Sequence, residues 1–180
     1  DTVKANADES LEKGIEKIKI EEAEKKKALE EAKRKEEEAR KRVVYDGLTL
    51  EQLAAKLERS LNSTLKGQGY FFAEYSTNLG LDPYLALAIT MHETGCKWNC
   101  STLVRQCNNV GGMKGSPGCN GGSYKRFNSL SEGIRSYLDN LYYNYYKVGL
   151  TTPETIGPKY AASKTWATQV NAYINDIKAK

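Results

Sequence analysis

The sequence has no run of about 18 apolar residues, the least that a membrane-crossing helix requires, so a soluble chain without a membrane span is expected. It has a single histidine, His92. With no second imidazole, a metal centre or a Cys–His nucleophile has little support, and no metal or cofactor is expected. Between Thr94 and Ser131 there is no Asp or Glu, which constrains any chemistry built on two facing carboxylates. The first 42 residues hold no aromatic side chain and one glycine, Gly14. No signal-peptide pattern opens the chain at Asp1, as a mature or trimmed chain would read.

What is present divides at about residue 45. A chain of 180 residues is expected to hold one domain, or one domain with an appendage. Residues 1–42 carry 13 acidic and 13 basic side chains. Glu precedes Lys or Arg by four at Glu21–Lys25, Glu22–Lys26, Glu30–Arg34, Glu31–Lys35, Glu36–Arg40, Glu37–Lys41 and Glu38–Arg42, the favourable orientation for pairs on a helix surface. A heptad reading places Leu11, Ile18, Lys25, Ala32 and Ala39 on one seam position and Ile15, Glu22, Leu29, Glu36 and Val43 on the other. Only the first half makes an apolar seam. The expectation is a long solvated helix over 1–45, a stalk or the end of a coiled coil, suited to an oligomer or a larger assembly. Its balanced charge argues against a nucleic-acid arm.

From Val43 onward there are 14 basic and 10 acidic residues. A modest positive balance assists encounter with anionic polymers and decides little else. Four cysteines, Cys96, Cys100, Cys107 and Cys119, crowd one 24-residue window. An even number in a glycine-rich stretch favours two disulfides in an oxidising, extracellular setting, with three connectivities open. The rival, a four-cysteine zinc site, lacks the paired CxxC knuckles such sites use. Tyrosine dominates the aromatics, 12 against 3 Phe and 2 Trp, which suits stacking on carbohydrate as well as half-buried packing.

The stretch Leu85 to Lys114, LALAITMHETGCKWNCSTLVRQCNNVGGMK, organises this second part. Asp82 and Pro83 are placed to start a helix. Leu85, Ala86, Ala88, Ile89 and Met91 leave it almost no polar face, so it should run through the core. Gly95 offers the left-handed turn that ends helices. The helix thereby delivers Glu93 at its C-terminal end. Burial disfavours the charged form of a carboxylate, and an acid that keeps its proton near neutrality is what a glycosidase uses on a leaving oxygen.

Other helices are expected from Thr49–Gln52, a capping box, to about Leu65, over Tyr70 to Leu79, and from the Ser129–Glu132 box to about Tyr146. A short piece after Thr152-Pro153 and a final amphipathic helix bearing Trp166, Val170, Tyr173, Ile174 and Ile177 complete the set. Cys96 to Arg126 reads as irregular.

The run HETG (His92 to Gly95), followed by NNVGGMKG (Asn108 to Gly115), resembles the glucosaminidase branch of the lysozyme-like glycoside hydrolases. SYKRFNSLSEGIRSYLDNL (Ser123 to Leu141), KYAASKTWATQVNAYI (Lys159 to Ile174) and the lead-in LKGQGYFFAEYSTNLGLDP (Leu65 to Pro83) match that family in order. The likeness covers about Leu48 to Ile177. It implies a mainly α, lysozyme-like domain over 46–180 with a small irregular or β-hairpin cleft lobe. It also implies a peptidoglycan hydrolase, extracellular, cell-wall-associated or virion-associated, with the glycan strand as its partner.

By the same resemblance, Glu93 is the expected proton donor. Tyr160, in the matching KYA, would stabilise charge at the anomeric carbon or position the acetamido group, or simply pack with its hydroxyl on backbone. Asn108, Asn109 and Gly112 would line the sugar cleft, although Asn also readily bonds local backbone. Tyr124 and Phe127 would flank the cleft or anchor the hairpin. His92 reads as packed beside the acid.

The departure is the missing second carboxylate, since Glu132 is taken by capping and Asp139 lies on the following helix. Three outcomes stay open: nucleophilic attack by the substrate's own 2-acetamido group, attack by a sugar hydroxyl as in lytic transglycosylation, or binding without cleavage. The leading expectation is an endo-β-N-acetylglucosaminidase. A muramidase or lytic transglycosylase comes second, then a wall-binding or assembly module.

Overall fold

The first helix, α1 (Thr2–Lys41), runs for 40 residues without burying one of them. At about 1.5 Å per residue that is roughly 60 Å of solvated helix. It belongs to a computed structural model describing residues 1–180, which divide by their contacts into Asp1–Arg42 and Val43–Lys180. Three of the expected pairs form, Glu31–Lys35, Glu36–Arg40 and Glu37–Lys41. Arg34 turns forward to Glu38 instead of back to Glu30, and Glu9–Lys13 adds a pair outside the anticipated set. All are exposed, worth at most a few tenths of a kcal/mol each, about 0.2–0.5.

The second unit opens with a hairpin, β1 (Val43–Tyr45) against β2 (Leu48–Thr49). Its turn is Asp46-Gly47, both at positive φ, the Asp-Gly chemistry that two-residue hairpin turns demand. Thr49 then caps α2 (Leu50–Glu58) in the anticipated box with Gln52. The helix stops at Glu58, not near Leu65. Ser63 takes a left-handed φ of 54°, and a single 3₁₀ turn over Ser63–Leu65 follows. The run Ser-Leu-Asn-Ser-Thr competes for backbone hydrogen bonds and is poor helix material. Leu61 and Leu65 are buried all the same.

Helix α3 (Gly69–Leu79) ends at left-handed Gly80. Helix α4 (Pro83–Thr94) is capped by Asp82, whose Oδ1 accepts from the Tyr84 and Leu85 amides, and closes on Gly95 at φ 66°. Ten of its twelve residues are buried, which makes it the axis of the core. After it come α5 (Thr102–Cys107), α6 (Leu130–Asn144), α7 (Pro153–Tyr160) and α8 (Trp166–Lys178). The α4 helix packs on α8 and α3, α2 on α3, and α7 on α8. Ile134, Leu138 and Leu141 are the buried stripe of α6. The architecture is mainly α, as expected.

The cleft lobe is less regular than a hairpin. It holds two isolated bridges, Lys114 with Tyr124 and Gly118 with Lys125, and a 3₁₀ turn at Cys119–Gly121. Its cysteines are joined in order, Cys96–Cys100 and Cys107–Cys119, so no thiolate is left for zinc. The second bridge spans 12 residues, a loop length for which chain entropy gives about 3 kcal/mol. Reducing agent should therefore lower the unfolding free energy by about that amount, read as a shift in urea midpoint.

Candidate active site

Glu93 stands in the last turn of α4, half-buried at the surface end of the core helix. Its two oxygens meet different neighbours. Oε1 accepts a hydrogen bond of 2.9 Å from the indole Nε1 of Trp166, the first residue of α8. Oε2 faces Gly112. That glycine has φ +63°, and a Cβ built there would lie 3.0 Å from Oε2. Position 112 thus combines a left-handed backbone with a close approach to the acid, where a side chain would have to push the Glu93 carboxylate aside.

Tyr160, the last residue of α7, stacks on Trp166 with ring centres 5.3 Å apart. Its hydroxyl donates to the Gly111 carbonyl at 2.6 Å. Burial holds the Tyr160 phenol well above the usual phenol range, with Tyr137 and the Glu93 carboxylate adding to the shift. The group therefore stays a donor at any ordinary pH. The hydroxyl on backbone, one of the roles expected for it, is present. Tyr160 ties the glycine loop to the indole that holds Glu93.

A groove of about 330 Å³ runs from this point, lined by Gly111, Gly112, Met113, Lys114, Asn140, Tyr145 and Tyr160. Tyr145 lies 5.4 Å from Tyr160, centre to centre, so one wall is aromatic. No carboxylate lines it. A larger hollow, about 470 Å³ between α7 and the start of α8, includes Glu154, Pro158 and Lys164 but not Glu93.

Several expected site residues turn out to build the loop. Asn109 is fully buried, its Nδ2 donating to the Met113 and Lys125 carbonyls and its Oδ1 accepting from the Met113 amide. Asn108 adopts φ 56° after α5, and its Nδ2 donates to the Phe127 carbonyl. Asn109 thus has both ends of its amide on backbone, while Asn108, half-buried, commits its Nδ2. Phe127 is 3 % exposed and anchors the lobe from inside, out of reach of the groove. Tyr124 is exposed, and its backbone bridges Lys114 at the groove's edge. Gly112 alone of these touches the acid.

The remaining acids are occupied elsewhere. Asp139 accepts from the Tyr75 hydroxyl at 2.7 Å, and Glu132 accepts from the Asn128 amide. His92 packs edge-on to Trp166 at 6.2 Å between ring centres, so it supports the residue that holds Glu93.

The glucosaminidase family, described as mannosyl-glycoprotein endo-beta-N-acetylglucosaminidase, matches residues 69–179. The chain belongs to this family. It is accordingly a glycoside hydrolase acting on peptidoglycan. The match begins with α3 and ends in α8, so it takes in every element that contributes to the Glu93 site. A search of the curated proteins returned no match. Within the glucosaminidase domain, Trp166 is the functional neighbour that sequence reasoning assigned only to packing. Its signal was its place, a tryptophan opening a helix seven residues after the KYA segment begins.

Proposed function

We propose that the domain is an endo-β-N-acetylglucosaminidase in which Glu93 protonates the leaving oxygen of a β-1,4 bond. The arrangement of the two carboxyl oxygens carries this reading. With Oε1 fixed by the Trp166 N–H, a proton on Oε2 would lie on the side where Gly112 keeps the approach clear. General acid catalysis of this kind contributes about 10²–10⁴-fold.

Glu93 reaches the groove through Gly112, and no carboxylate lines the groove itself, which favours a substrate that supplies its own nucleophile. Attack by the 2-acetamido oxygen on the anomeric carbon would break the bond to the leaving oxygen as Glu93 protonates it, and water would then open the cyclic intermediate. The test is mass spectrometry of digested peptidoglycan. Reducing N-acetylglucosamine ends support the proposal. Reducing muramic ends would make the enzyme a muramidase, and anhydro-muramic ends a lytic transglycosylase.

Tyr160 we assign to positioning Gly111 and Gly112. Tyr160→Phe keeps the stack on Trp166 and loses the hydroxyl bond to Gly111. One such bond is worth about 1 kcal/mol, so kcat/KM should fall up to about tenfold, with the fold intact by circular dichroism.

The disulfides and the wall substrate favour an extracellular or wall-associated setting. Residues 1–42 we take as a solvated stalk, three residues shorter than the expected 1–45 because Val43–Tyr45 pair as β1 of the second unit; α1 buries nothing and its apolar seam fades at Glu22 and Lys25. Analytical ultracentrifugation checks this: a monomer of high frictional ratio fits a stalk, and a dimer would revive the coiled coil.

A further inference from the structure

Trp98 is 77 % exposed, while the only other tryptophan, Trp166, is 1 % exposed. A single exposed apolar side chain is ordinary, but this indole is held in place by a disulfide-closed loop and the Lys97 ammonium. It sits inside the short loop that the Cys96–Cys100 bridge closes immediately after α4, so its backbone is fixed close to the acid in sequence and in space.

A continuous path of rings leads to it from Glu93. Trp166 donates to Glu93, His92 packs on Trp166, and Tyr173 lies 6.1 Å from His92. The Lys97 ammonium then stands over two rings, 5.8 Å from the centre of Tyr173 and 5.6 Å from that of Trp98. From Trp166 to Tyr173 the path spans about 10 Å of α8. Its far end lies beyond the groove of Gly111 to Tyr160, whose lining residues it does not share.

The charge on this ridge is already satisfied. Lys97 is paired with Asp176 at 2.9 Å, and the bond raises the lysine pKa and lowers that of the aspartate. Trp166 is buried and Tyr173 half-buried, so the open end of the path is the Trp98 indole, offered in place of a free cation. Such a flat face matches the C–H face of a pyranose ring, which is apolar on one side and ringed by hydroxyls. We propose that Trp98, held by Lys97 beside Tyr173, is a stacking platform for the glycan strand outside the cleavage site. The platform grips a polymeric substrate over a longer span than the groove alone. This rests on the hydrolase reading for its choice of ligand.

The test separates binding from cleavage. Peptide-free glycan strands are titrated by calorimetry into Glu93→Gln, and into the same variant carrying Trp98→Ala or Trp98→Phe. Trp98→Ala should weaken binding about tenfold, the size of one lost stacking contact, and Trp98→Phe should recover most of it. In the otherwise native protein, Trp98→Ala should raise KM on long strands more than on a short oligosaccharide, and equal effects on the two would overturn the platform. Strand binding should also shield Trp98 from acrylamide quenching. Equal affinity of the Ala and Trp forms, or an indole equally quenchable with glycan bound, overturns the platform. Either result leaves Glu93 as the acid untouched, whereas a Glu93→Gln protein that still cut the strands would remove the acid without bearing on Trp98, so the two failures are distinguishable.

Discussion

Glu93→Gln should lose about 10²–10⁴-fold in glycan release, the span that a positioned general acid contributes. The substitution is close to isosteric. A glutamine Oε1 still accepts from the Trp166 indole, so the contact recorded at 2.9 Å survives and the unfolding midpoint should not move. What disappears is the acid proton. Glu93→Asp makes a different point, because it retains the acid and shortens its reach by one methylene. The aspartate cannot both hold the Trp166 N–H and stand against Gly112, so it should fall well below wild type yet above the glutamine variant. The measurement is release of soluble muropeptides, with ends identified by mass spectrometry. A glutamine variant as active as wild type would end the assignment of Glu93 and with it the proposed mechanism.

The local signals that point to Glu93 also explain why other candidate residues carried two readings. A helix of ten buried residues, an Asp-Pro start and a glycine stop are local signals, legible without any contact information. The capping box at Thr49 and the Ser129 hydroxyl that caps α6 on the Glu132 amide are of the same kind. Asn108 and Asn109 have no such signal separating their two uses. An amide suits a sugar acetamido group and a loop carbonyl equally, and only the return of Lys125 and Phe127 beside them shows that backbone claims it.

Trp166 was legible as core but not as a donor, since its partner lies 73 residues away along the chain. The disulfide order was equally out of reach of spacing. The end of α2 was missed for another reason. Four leucines at helical spacing, Leu50, Leu53, Leu57 and Leu61, extend the apolar stripe past Glu58, and burial of Leu61 and Leu65 does not require the backbone between them to stay helical.

Gly133→Ala should be the most disruptive single methyl group in the domain. A Cβ on Gly133 would lie 1.7 Å from the Asn108 carbonyl oxygen, which is backbone and cannot swing aside. One turn along α6, Tyr137 fills the space beside Gly111, where an added Cβ would meet the ring at 2.4 Å. Helix and glycine loop therefore meet at backbone distance along a whole face. Inserting the methyl must lift α6 from Asn108 or push the loop outward. Overpacking of this kind costs about 1–3 kcal/mol, and more where backbone must move. At the upper figure the thermal midpoint should drop by roughly 10 °C.

Activity should fall at temperatures where the variant is still folded, because the displaced loop carries Gly112 away from the Glu93 carboxylate. Gly14→Ala is the internal control. Nothing lies within 4 Å of a Cβ there, the residue is mid-helix and exposed, and alanine should stabilise α1 by about 0.5–1 kcal/mol. The same chemical change thus has opposite signs at the two positions. A Gly133→Ala protein with wild-type midpoint and activity would show that the Asn108–Gly133 approach is not what sets the distance between Gly112 and Glu93.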